Sequence, residues 1–297
     1  MLSFTGQRTQ CQDMSQDYET DSLTFFKTNL NLGQRLLEAE LGSFYTEDTA
    51  SVTTVASTST YDLPAEFIML KKAYTTDSTT QYPMQEVFDE EEWRWLNSTT
   101  SPTDPHPTHI FVRRESFEVY PKNSTASLTM TLIYERGAKD LTATDYTTGT
   151  ILTLANGGTA VTGSGTTWTS AMAGRYLKVT NNGVWYKIAT FLTTTTLTLD
   201  RAYEGLAIAT GSEAYIIGEM SRTPGPTHHI PVYYALFQYY LGFKQNENKA
   251  KVFRDLYEID LARAKRTYGR RYSSKYIPGN SSRIPLVNPN HYPLGMT

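Results

Sequence analysis

Ile151-Leu152-Thr153-Leu154-Ala155-Asn156-Gly157-Gly158-Thr159-Ala160-Val161-Thr162-Gly163-Ser164-Gly165 opens the segment that decides the fold. From Tyr146 to Ile217 the chain is built mainly from Thr, Gly, Val, Ile, Leu, Tyr and Trp, with little charge. Short strand-like runs recur at Ile151–Leu154, Thr159–Val161, Tyr176–Val179, Trp185–Ala189, Thr196–Leu199 and Ala214–Ile217. Gly157-Gly158, Gly163-Ser164-Gly165 and Asn181-Asn182-Gly183 separate them, and Asn and Gly tolerate the positive φ of tight hairpins. The spacing predicts a small sandwich or barrel over 146–221, with Trp168 and Trp185 plugging its core.

A body that accepts such an insertion must offer it a surface loop. Upstream, Leu23, Phe26, Leu30, Leu37 and Leu41 follow helical spacing, with Ser22 or Asp21 as cap and Gly42 as stop. Downstream, Pro231–Phe243 and Asn246–Tyr268 predict an antiparallel helix pair, the first interrupted near Gly242. Strand signals lie at Val52–Val55, Ile110–Val112, Phe117–Pro121 and Leu128–Tyr134. Pro64 argues for strand, turn and then a second extended or short helical piece at Phe67–Leu70. Asp89-Glu90-Glu91-Glu92 before Trp93 and Trp95 reads as a solvated helix start, its acids facing the positive end of the dipole. Residues 1–20 are polar and aperiodic, which predicts a loose arm or a segment ordered by a neighbour. From Tyr272 onward Pro, Ser, Asn and Gly leave no stripe, so residues 273–297 read as an extended arm. The expected class is α+β. A helical-bundle body with short strands spans 21–145 and 222–272, and a sandwich- or barrel-like all-β domain is inserted at 146–221.

The 297 residues carry 27 Lys plus Arg against 30 Asp plus Glu, so no overall basic field exists to gather nucleic acid. One cysteine, Cys11, excludes an intrachain disulfide framework and any Cys-based zinc site. The first residues lack the basic-then-apolar pattern of a secretory signal, and no apolar run approaches membrane-spanning length, which points to synthesis in a reducing cytoplasm. Tyrosine is abundant, at 21, and its amphipathic ring suits surfaces buried when subunits meet as well as an ordinary core.

Chemistry is hard to build from these residues. His106 and His109 lack a third donor nearby, and adjacent His228 and His229 diverge by about 100° on a helix. Gly157–Gly165 lacks the Gly-Lys-Ser/Thr ending of a phosphate loop and leads into strand, not helix. We therefore expect no enzyme, cofactor or metal site. Arg263, Lys265, Arg266, Arg270 and Arg271 fit the preference of cations for helix C-termini, with a DNA-facing patch as the alternative. Within the insert, Trp168, Trp185, Tyr186, Arg201 and Tyr203 are contact candidates; exposed Trp168, Trp185 and Tyr186 would make a sugar platform. The final segment combines Tyr272, Lys275, Tyr276, Arg283 and Tyr292 with apolar Ile277, Ile284, Leu286 and Val287, which suits an arm that orders in a groove of another chain.

Three features resemble the head-to-tail adaptor, or connector, proteins of tailed bacteriophages, especially short-tailed ones. One is Tyr61-Asp62-Leu63-Pro64-Ala65-Glu66-Phe67-Ile68-Met69-Leu70, similar to a Leu-Pro-x-Asp/Glu-Phe strand-turn of such proteins. Another is the terminal helix pair, Tyr233–Leu241 followed by Lys251–Arg266. The third runs from Gly163-Ser164-Gly165-Thr166-Thr167-Trp168 through Ala173-Gly174-Arg175-Tyr176 and Trp185-Tyr186-Lys187-Ile188 to Leu199-Asp200-Arg201-Ala202-Tyr203-Glu204-Gly205, and resembles a β module of phage virion proteins. The resemblance implies a homo-oligomeric ring in the virion neck, beneath the portal protein, continuing the DNA channel without reading sequence. The arm would dock on the portal, and a lower surface would meet the tail nozzle protein. The insert would contact a tail or fibre protein, and no membrane is involved. A receptor- or carbohydrate-binding tail protein is the alternative.

Overall fold

Phe26, Leu30, Leu37 and Leu41 fall on one side of a helix, and their burial fixes the position of α2 (Thr20–Leu41) in the computed structural model of the chain. The structure describes residues 1–42, 46–98, 103–124 and 127–269. Gly42, at φ 84°, ends α2 in the left-handed region that glycine adopts without strain. Against α2 pack α4 (Ile230–Gln238) and α5 (Glu247–Tyr268), the expected terminal pair. Between them the helix widens into a π turn at Tyr239–Phe243, and Asn246 then caps α5 by accepting from the Lys249 amide at 3.1 Å.

The expected loose arm at 1–20 is corrected. Phe4–Ser15 forms a helix, α1, capped by Ser3, whose Oγ accepts from the Gly6 amide at 3.1 Å. Its only buried side chains are Phe4, Gln7 and Cys11, a stripe one residue wide that composition hides. Phe4 and Cys11 share a core with Phe26, Leu30, Val232, Leu236 and Tyr239, and burial pushes the Cys11 thiol far above its ordinary pKa.

The body is also more than a helical bundle with short strands. A seven-stranded sheet has the order β1 (Glu47–Thr53), β9 (Thr129–Arg136), β3 (Phe67–Asp77), β4 (Thr80–Val87), β6 (His109–Val112), β7 (Ser116–Tyr120) and β2 (Thr60–Asp62). β3 has eleven residues, but its register slips between Phe67 and Met69 and again between Leu70 and Lys72. Those slips interrupt the two-residue alternation and conceal a long strand from pattern reading. All neighbours are antiparallel except β4 and β6. That parallel pair needs a crossover, which α3 (Glu90–Ser98) supplies by burying Trp93 against Val87 and Phe111. A short parallel pair, β5 (Thr103–Asp104) with β8 (Lys122–Asn123), completes this region.

The insert forms a second sheet of six strands. They run β10 (Thr150–Thr153), β11 (Ala160–Ser164), β14 (Thr196–Leu199), β13 (Trp185–Thr193), β12 (Tyr176–Val179) and β15 (Tyr215–Gly218). Bridges Tyr146–Ile217, Ile151–Glu213 and Leu154–Ile208 draw its two edges together, so the sheet curls around one core. Every residue of that core lies between Ile151 and Ile217. Gly163 is required there, because a Cβ would sit 2.6 Å from Thr166 Cγ2 and 2.7 Å from the Trp168 ring. Trp168 Nε1 donates to Tyr215 Oη at 2.8 Å, and Tyr215 Oη donates to the Thr148 carbonyl at 2.6 Å, so the buried polar atoms are paired.

Candidate assembly surfaces

The segments where the insert leaves and rejoins the body are held by the amino-terminal residues. Ser3 Oγ donates to Asp145 Oδ2 at 2.8 Å on the outgoing side, and Thr5 Oγ1 accepts from the Asp145 amide at 3.0 Å. On the returning side the Phe4 amide donates to the Glu219 carbonyl at 2.8 Å. Glu219 Oε2 reaches back to accept from the Thr142 and Ala143 amides, each at 2.8 Å. Gln7 Nε2 donates to the His228 carbonyl at 2.7 Å, and His228 Nδ1 lies 3.0 Å from the Leu2 carbonyl oxygen. Burial lowers the His228 pKa, which favours a neutral ring in this clasp. Leu2, Ser3, Phe4, Thr5 and Gln7 thus aim the insert relative to the helices.

Beside this neck a cleft of about 510 Å³ opens between insert and body. Arg175, Tyr176 and Lys187 line it from the insert, and Arg136, Lys139, Met220 and Arg222 from the body. Arg222 pairs with Asp48 at 2.9 Å and Lys139 with Glu219 at 3.6 Å, whereas Arg175 and Lys187 have no acidic partner among the described residues. At the back, Glu38 is 1 % exposed; its Oε1 accepts from Gln34 Nε2 at 3.1 Å and Ser221 Oγ at 3.3 Å, and its Oε2 has no partner. Desolvation raises the Glu38 pKa, with Gln34, Arg136, Ser221 and Arg222 opposing.

A second surface is convex. Trp93 anchors α3 inward and donates from Nε1 to Glu118 Oε2 at 2.7 Å. The opposite face carries Trp95, 74 % exposed, beside Glu91 and Glu92 at four- and three-residue spacing, and Phe88, 84 % exposed, lies in the segment just ahead of the helix. Glu91 and Glu92 are exposed and form no ion pair among the described residues, while Asp89 Oδ1 accepts from the Glu91 amide at 2.9 Å.

Among the insert's contact candidates, Trp168 and Trp185 plug the core as the strand pattern predicts, and Tyr186 and Tyr203 are buried with them. Trp168, Trp185, Tyr186 and Tyr203 are 1 %, 8 %, 0 % and 2 % exposed, so they are core and not a sugar platform. The cause is the small curled sheet, whose interior can be filled only by large rings. Arg201 is exposed, with its guanidinium 4.9 Å from the centroid of the Tyr186 ring and a 3.2 Å hydrogen bond to the Trp185 carbonyl. Of the basic helix end, Arg263 pairs with Asp260 at 3.1 Å and Lys265 with Glu40 at 2.5 Å, and Arg266 is exposed. Arg270, Arg271 and the arm residues Tyr272, Lys275, Tyr276, Ile277, Arg283, Ile284, Leu286, Val287 and Tyr292 lie outside the described residues. His106 stacks on Tyr82 with centroids 3.7 Å apart, and His229 Nε2 lies 3.0 Å from Asp260 Oδ2. Neither belongs to a group of three or more potential metal ligands among the described residues.

Reading the sequence missed both surfaces. For α3 a signal existed, since Trp93 and Trp95 stand two residues apart and a helix turns them to opposite sides. For the cleft none existed, because residues 139, 175, 187 and 222 meet only after two sheets have formed.

Exposed aromatic and charged groups on the body, and a β insert tied to the amino-terminal residues, are the surfaces this chain offers among the described residues. The chain matches the SU10 adaptor protein family over residues 8–215, more than two-thirds of its length. It belongs to that family, and is a bacteriophage adaptor protein of the virion. The match ends within β15, ahead of α4 and α5. No curated protein matches the chain significantly. No helix among the described residues is long and apolar enough to cross a membrane.

Proposed function

We propose that this adaptor is a structural, non-catalytic component of the neck of a short-tailed particle. Copies form a ring beneath the portal, join capsid to tail and continue the DNA channel. The arm at 273–297 docks on the portal, and the insert at 146–221 faces tail nozzle or fibre proteins. The observation that carries this reading is the family match over residues 8–215. The clasped neck supports it, because an insert that meets an outside partner gains affinity when its direction is set before binding. A saccharide-binding role has lost its motivation with the burial of Trp168, Trp185 and Tyr186.

The test is portal capture by the full chain and by a chain ending at Tyr272. Capture by the full chain alone is expected; equal capture by the shortened chain would remove the arm from the portal interface.

A further inference from the structure

We propose that the outer face of α3 in one copy seats in the cationic cleft of a second copy. This rests on the ring reading and names the two surfaces that close it. The charges are complementary: Glu91 and Glu92 on the helix and Arg175 and Lys187 in the cleft are the groups of each surface without an opposite charge in their own chain, among the described residues. The apolar parts are complementary too. Trp95 and Phe88 flank the acids at 74 % and 84 % exposure, and Tyr176 and Met220 line the cleft together with the cations. Aromatic anchors entering a pocket inside a rim of charges is the arrangement that concentrates binding energy in protein interfaces.

A chain cannot satisfy this contact within itself. Trp93 pins α3 onto Val87 and Phe111, at β4 and β6, whereas Arg222 pairs with Asp48 of β1 at the far edge of the sheet. The two surfaces differ, so the contact is head-to-tail and repeats from copy to copy until rotation closes it. Duplex DNA is the poorer occupant. The cleft is concave, its lining includes apolar side chains, and Asp48, Glu66 and Glu219 already pair with three of its five cations, Arg136, Lys139 and Arg222.

The experiment follows the assembly of the full-length chain with concentration, by sedimentation velocity and negative-stain electron microscopy, with and without portal protein. Three variants are compared with it: Glu91→Lys with Glu92→Lys, Arg175→Glu with Lys187→Glu, and all four together. Circular dichroism checks that each is folded. Each pair should raise the concentration needed for ring formation by at least about tenfold, since like charges at a contact cost several kcal/mol. The fourfold variant, with both signs exchanged, should recover most of the loss, which a merely misfolded variant would not. Rings formed by both pairs at the unaltered concentration would overturn the cleft assignment and leave the ring reading standing. A chain that never self-associates, even with portal present, would overturn both. Unchanged self-association together with lost binding of duplex DNA by the cleft pair would reassign the cleft to polynucleotide.

Discussion

Ser3 Oγ donates a 2.8 Å hydrogen bond to Asp145 Oδ2, joining the cap of the first helix to the last residue before the β insert. The same Ser3 oxygen accepts from the Gly6 amide, so one hydroxyl both starts α1 and holds the insert's neck. The direction of the insert therefore depends on the first residues of the chain.

Replacing Ser3 by Ala removes both bonds. The expected cost is about 1–2 kcal/mol in urea unfolding, from a lost cap and a carboxylate left underpaired. Faster proteolytic cleavage between Lys139 and Tyr146 should accompany it, as the neck opens more often than the body. An unchanged cleavage pattern would show that the clasp does not restrain the insert.

Tyr239 donates a short hydrogen bond to Asp17, and Lys244 Nζ approaches the same carboxylate oxygen at 2.9 Å. Tyr239 first and Lys244 second hold the Asp17 carboxyl well below the usual range, and burial followed by Asp17 pushes the Tyr239 hydroxyl up to about 12. Asp17, with a depressed folded pKa, contributes stability above about pH 4 that fades as pH falls toward the folded value. Tyr239→Phe should therefore cost about 1 kcal/mol at pH 7. The gap from the unaltered chain should narrow in thermal melts below pH 4, whereas a constant gap would point to packing alone.

Glu38 has the opposite sign. Its folded pKa is raised by burial, so its contribution is full below the unfolded value and is lost as pH rises through the folded one. Glu38→Gln keeps an acceptor for Gln34 and Ser221 without a buried charge, and should stabilise the chain at pH 7 by about 1 kcal/mol. The gain should vanish near pH 4, where Glu38 itself is protonated. A loss at pH 7 would mean that Arg136 and Arg222 outweigh desolvation.

Trp168→Ala empties the centre of the insert and removes the indole N–H that donates to the Tyr215 hydroxyl. A cost of about 3–5 kcal/mol is expected, confined to the insert because its core shares no residue with the helices. Amide exchange should rise across residues 151–217 while α2 and α5 stay protected. Equal loss in both would show that the two cores unfold together.

The insert was the most legible part of the chain. Tyr176–Val179 and Thr196–Leu199 coincide with β12 and β14, because each alternates a buried Leu or Val with a half-buried residue, the two-residue period of a strand. The terminal helices were equally plain, with Asn246 as the cap of α5. What failed were patterns diluted by local geometry, such as the one-residue stripe of α1 and the slipped register of β3. The assembly surfaces failed for a different reason. Arg175, Lys187 and Arg222 become neighbours only through long-range pairing, and an exposed Trp95 looks in sequence like a buried Trp93 two residues away.

Electron cryo-microscopy of the assembled particle tests the central claim most directly. The expected result is a closed ring of this chain between portal and tail, lining the channel through which DNA passes. Copies located only on fibres, or arranged with no contact to the portal, would contradict it.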